Sequence, residues 1–130
     1  MSDLQRVVDK EGVLCAFIAT KDGFTVDSAV SKEVVEDVGE VNADYPAAIS
    51  STILLRVRNI MEELVELEEG LTVSVVGGHS LVLKEVDEDF IVGLLYDSGK
   101  ITEGLARVLL SQLEEAARRL KEESEIGAGE

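Results

Sequence analysis

The sequence predicts an α+β domain of three layers. A five-stranded antiparallel sheet of order 2-1-5-4-3 has helices on both faces, in the chain order α-ββ-α-βββ-α. Three observations carry this reading. Two short runs, VLCAFIA (Val13 to Ala19) and FIVGLLY (Phe90 to Tyr96), are apolar without alternation, as strands covered on both faces are, so they belong at the centre of the sheet. Segments that alternate apolar with polar residues adjoin the turn signals Asp22-Gly23 and Gly77-Gly78, which mark hairpins. Between the two groups lies DYPAAISSTILLRVRNIMEELVELEE, Asp44 to Glu69, whose apolar residues recur at helical spacing.

The chain opens on Ser2-Asp3-Leu4-Gln5, a capping box. Leu4, Val7 and Val8 repeat at i, i+3, i+4 until Gly12 offers a left-handed stop, giving a short helix over about residues 3 to 11. After the first central strand and its Asp-Gly turn, Phe24 and Val26 alternate with Thr25 and Asp27, an edge strand with one polar face. Ser31 to Val41 reads as an irregular link with a helical turn. Asp44 caps the long helix, and Pro46 is tolerated in its first turn, where a missing N–H has no intrahelical partner. Gly70 closes that helix after Glu62, Glu63, Glu66, Glu68 and Glu69, a run unfavourable at the negative end of a helix dipole. Leu71 to Val76 alternates and ends at Gly77-Gly78, and His79 to Val86 returns. Asp87-Glu88-Asp89 turns into the second central strand, in which Gly93 suggests a bulge or close packing against a helix. Ile101 to about Glu123 is the closing helix. Residues 1–122 make one domain, and 123–130 are read as a frayed acidic tail with nothing to bury.

The long helix has too much apolar surface for one partner. At about 100° per residue, Ile49, Ile53, Val57, Ile60, Leu64 and Leu67 form one side, and Ala47, Leu54, Met61 and Val65 widen it to roughly 160°. A helix lying on one core shows a stripe of about 100°. The excess implies two burials, one on the chain's own sheet and one on another molecule. Leu55 stands alone opposite, among Arg58, Glu62 and Glu66. Leu71 to Val76, an edge in the expected order, carries no proline, glycine or lysine to discourage a pairing strand.

Composition narrows the function. Lys and Arg number 12 against 27 Asp and Glu, a formal charge of -15, so the electrostatic footprint for nucleic acid or an anionic membrane is missing. One cysteine, Cys15, cannot form an intramolecular disulfide. With no signal-like opening and no apolar run of about 18 residues, a reduced, cytoplasmic location is expected.

GVLCAFIATKDGFTVDSA (Gly12 to Ala29), the small residues Ala47, Ala48, Ser50 and Ser51 near the start of the long helix, and VSVVGGHSLVLKEVDEDFIVGLLYDSG (Val73 to Gly99) follow one another in an order that resembles the Roadblock/LC7 family of dynein-light-chain-related and prokaryotic GTPase-associated domains. Profilin-like and longin-like layouts share much of it. The resemblance implies a homodimer in which the Leu71 to Val76 strands of two copies pair and the long helices pack side by side. Leu71, Val73, Val75, Leu54, Met61 and Val65 would form the interface. It further implies a platform for a small Ras-like GTPase without a catalytic group of its own, with Leu55, Arg58 and Glu62 as candidate partner contacts. The alternative is a profilin-like or PAS-like module that senses a small molecule or organises an assembly.

Catalytic and cofactor motifs are weak. GLLYDSGK (Gly93 to Lys100) has five residues between its glycines where a P-loop has four, and Ile101 stands where Ser or Thr must bind magnesium. His79, without a second ligand or a nucleophile beside it, reads as a solvated turn residue. Cys15 reads as core, Asp87-Glu88-Asp89 lacks calcium-loop spacing, and Ser50-Ser51 has no glycine elbow. No pair of titratable groups reads as acid and base, so neither enzyme activity, a metal nor a cofactor is expected.

Overall fold

The computed structural model describes residues 3–34, 44–67 and 70–128. In order these are α1 (Asp3–Val8), β1 (Val13–Thr20), β2 (Thr25–Val30), α2 (Asp44–Glu62), β3 (Thr72–Val75), β4 (His79–Glu85), β5 (Phe90–Asp97) and α3 (Glu103–Ala128). The strands form one antiparallel sheet of order β2-β1-β5-β4-β3, with the apolar runs at its centre as predicted. Of the Ser31 to Val41 link, residues 32–34 are helical and the rest lies outside the described residues.

All three helices differ in their bounds from the sequence reading, α1 by ending at Val8. Helix α2 stops at Glu62, not Glu69, because prolonging it would stack Glu62, Glu63 and Glu66 on the negative end of the dipole. Helix α3 begins at Glu103, capped by Thr102, whose hydroxyl accepts the Leu105 N–H at 3.1 Å. It then runs past Glu123 to Ala128, since Glu, Lys, Ala and Ile prolong an existing helix at little cost.

The alternation along each strand divides the core in two. On one face α1 and α3 close over Ala16, Ile18, Val92 and Leu94, joined by Leu4, Val7, Leu109 and Leu113. On the other, α2 covers Phe17, Ala19, Leu83 and Ile91 with Ala47 and Leu54. Among the described residues the first cluster holds seventeen buried apolar side chains and the second six. The α2 layer is therefore the incomplete one.

Gly93 answers to a strand, neither a helix nor a bulge. It pairs with Phe17 across β1 and β5, and the Phe17 ring lies where a Cβ on Gly93 would stand. Phe17 is fully buried and has nowhere to retreat in a close-packed interior. Gly93→Ala is expected to destabilise by about 2–3 kcal/mol through overpacking, lowering the melting temperature by roughly 10 °C in a calorimetric scan.

Candidate interaction surface

Helix α2 rests on the sheet by its flank. Ala47, Ser50 and Leu54, one or two turns apart, are buried, and the two small residues let the backbone come down onto Phe17, Leu83 and Ile91. Leu54, expected in a dimer contact, is 3% exposed and committed to the chain's own core. The main stripe is turned aside from the sheet: Ile53 and Val57 are half-buried, Ile49 is exposed and Ile60 is 66% exposed. Met61 is half-buried, while Leu64 and Val65 lie beyond the helix end and are exposed, so Val65 is not part of a helical face.

Two contacts orient the flanks. A Cβ on Gly23, held at φ +95°, would stand 3.2 Å from Ala48 Cα, so the Ala48 and Ser51 side of α2 faces the β1–β2 hairpin. Ile53 packs in the same cluster as Leu71 and Val73, so the exposed stripe faces β3. Leu55, one turn after Ser51, shares the hairpin side and is 58% exposed. Phe24, next to Gly23, is 72% exposed. An apolar residue after an Asp-Gly turn usually reads as the first inward residue of its strand, so the sequence gives no sign that Phe24 lies on the surface.

Strand β3 is a free edge. Glu85 N–H donates to the Leu71 carbonyl at 3.0 Å, and the register Thr72↔Lys84, Val73↔Leu83, Ser74↔Val82, Val75↔Leu81 continues from there. Antiparallel pairs alternate between hydrogen-bonded and non-hydrogen-bonded, so Val73 and Val75 bond to β4, whereas the N–H and C=O groups of Thr72 and Ser74 point outward. The side chains of Leu71 and Val73 are half-buried on the α2 face and Val75 is 55% exposed. Edge and helix stripe thus form one apolar corner.

A buried carboxylate holds this corner in shape. Glu85, at the end of β4, is nearly inaccessible. Arg58 of α2 donates to it through Nε at 3.2 Å and through Nη2, Leu71 N–H donates at 3.0 Å, and Lys21 of the hairpin stands 3.5 Å away. Burial alone would raise the Glu85 carboxyl, but Arg58, the Leu71 N–H and Lys21 together outweigh it and hold the group below its ordinary range. Arg58 is therefore not the free partner contact expected of it: its guanidinium faces inward and ties α2 to the sheet. Glu62 remains at the rim, exposed and 3.2 Å from Arg58 Nη1.

No family model matches the sequence, and no curated protein matches it. Solved structures do. MglB in a tetrameric arrangement superposes with a TM-score of 0.73 at 16% identity, covering 93% of this chain and 86% of that one. The gliding protein MglB of Thermus thermophilus gives 0.72 at 16% identity, covering 93% and 87%. A Roadblock/LC7 domain from Streptomyces avermitilis gives 0.65 at 13% identity, covering 92% of each chain. The chain has the Roadblock/LC7 fold.

Within this Roadblock/LC7 scaffold the chemically suggestive motifs are structural. The P-loop-like stretch begins inside β5, and its turn is closed by Asp97, whose carboxylate accepts the Gly99 N–H at 2.8 Å. His79 opens β4 and is exposed. Asp87 accepts the Asp89 and Phe90 N–H groups at 2.7 and 3.0 Å, an Asx turn. Cys15 is half-buried, and burial pushes its thiol up, away from the reactive thiolate. Among the described residues no group of His, Cys, Asp and Glu could hold a metal ion, and no helix is long and apolar enough to cross a membrane.

Proposed function

We propose that the protein is a homodimeric, non-enzymatic adaptor or regulator of a small Ras-like GTPase, acting in the cytoplasm. The observation that supports it is the apolar stripe of α2 standing exposed beside the unpaired edge of β3. A second copy related by a two-fold axis supplies both missing halves at once, since a two-fold contact presents the same patch from each side. Leu71, Val73, Val75 and Met61 line that seam together with Ile53, Val57 and Ile60. The GTPase docks on the opposite flank of α2, at Leu55 and Phe24, with Glu62 at the rim favouring a basic surround on the partner.

Light scattering after size exclusion tests the first half: a mass of about 28 kDa is expected, twice the chain's 14.0 kDa, and a 14 kDa species at tens of micromolar would sink the dimer. Titration with a Ras-like GTPase in its GDP- and GTP-analogue forms tests the second. Leu55→Asp and Phe24→Asp are expected to weaken binding at least ~30-fold, a loss of about 2 kcal/mol at a hot spot, with the dimer mass unchanged. Unaltered affinity in both variants would move the GTPase elsewhere.

A further inference from the structure

Helix α3 lies over β5 and β1, and an open cleft of about 610 Å³ runs between its first three turns and β3–β4. We infer that this cleft binds an uncharged, polyhydroxylated small molecule with one flat apolar face. Its volume falls in the range of roughly 300–1,000 Å³ typical of ligand sites.

Three features define the ligand. Tyr96, which lines the cleft, is 5% exposed, and its hydroxyl has no hydrogen-bond partner among the described residues. The hydroxyl is not among the sealed, partnerless polar atoms of the interior, so solvent reaches it, and it offers the cleft one donor and acceptor that a ligand can take over from water. Beside it the buried Ser80 hydroxyl is fixed at 2.6 Å from that of Ser98 and within 3.3 Å of Gly77 N–H, a polar patch set in place before anything binds. The charges of the lining cancel in pairs: Lys84 meets Glu114 at 2.6 Å and Arg107 meets Glu103 at 3.2 Å. On a chain of formal charge -15, a locally neutral site selects neither cations nor anions. Val82, Ala106 and Leu110 supply the apolar wall. A cleft lined by polar groups is also what a sensor module requires.

A nucleoside and a sugar present the same chemistry, and the experiment separates them. The ¹⁵N-labelled full chain is titrated with adenosine and, separately, with maltose up to about 10 mM, while amide resonances are followed. Saturable shifts centred on Ser74, Ser80 and Ser98 with one of the two are expected. Tyr96→Phe should weaken that binding by about five- to tenfold, the worth of one hydrogen bond, at an unchanged melting temperature, because the hydroxyl holds nothing in the protein. Ser74→Arg, at an exposed position, should abolish it by filling the cleft. No saturable shift with either compound, or shifts that survive either variant, overturns the inference. Mass measured on the same samples keeps the questions apart: a monomer that binds retains this site and loses the dimer.

Discussion

Ser74→Pro is expected to convert the dimer into a 14 kDa monomer while barely moving the stability of the subunit. Ser74 lies opposite Val82 in a non-hydrogen-bonded pair, so its N–H points away from β4, toward the place a second β3 would occupy. Proline there removes no bond within the chain and is tolerated on an edge strand. Across a two-fold seam the defect appears twice, once from each copy. At about 1–1.5 kcal/mol for each lost ladder bond, plus the obstruction by the rings, the dimer should weaken more than 100-fold. Val73→Pro is the instructive control. Its side chain makes it look like the pairing residue, but its N–H bonds inward to Leu83, so proline there should damage the subunit's own sheet and lower the melting temperature. A Ser74→Pro protein that still runs as a dimer at micromolar concentration would show that β3 is not the seam.

The contrast between these neighbours shows which physics a linear sequence carries. The sheet order was legible because burial on two faces writes itself as an unbroken apolar run, and only Val13 to Ala19 and Phe90 to Tyr96 have one. The seating of α2 was not. A 160° stripe says that two burials exist but not which part meets which partner, and the outcome rests on side-chain size and on one distant charge. Ala47 and Ser50 permit the close approach, so the flank, not the crest of Ile49, Ile53 and Ile60, goes inward. Glu85 falls on the inward parity of Leu81 and Leu83, but nothing in its own strand points to its partner Arg58, which lies 27 residues earlier in the sequence. The acidic run after Met61 conflicts with the helix dipole, but the helical spacing of Leu64 and Leu67 carries the sequence reading through it to Glu69, seven residues past the observed end at Glu62. Phe24 and the Tyr96 cleft had no comparable signature, since exposure of the first and the missing partner of the second depend on where other elements stop.

Arg58→Ala is expected to cost the subunit about 3–5 kcal/mol, because it leaves a buried carboxylate with only the Leu71 N–H and the more distant Lys21 to answer it. That is roughly a 10 °C drop in melting temperature or more for a domain of this size. Replacing both partners, Arg58→Met with Glu85→Met, should recover most of the loss, since two apolar side chains of similar length need no counter-charge, with a residue of about 1 kcal/mol for the Leu71 N–H deprived of its acceptor. The same pair sets an acid limit. Glu85 and Asp87 are both held below the usual carboxylate range in the folded chain, which lies near 3.9–4.3, so below about pH 4.5 the unfolded chain takes up more protons than the folded one. Stability from these groups is complete above about pH 5 and drains away as pH falls through their folded values. Melting temperatures measured from pH 7 to 3 should therefore fall more gently for Glu85→Gln than for wild type, starting from a lower plateau. Parallel curves, or an Arg58→Ala cost under 1 kcal/mol, would mean that the orientation of α2 is set by its packing on Phe17 and Leu83 and not by this ion pair.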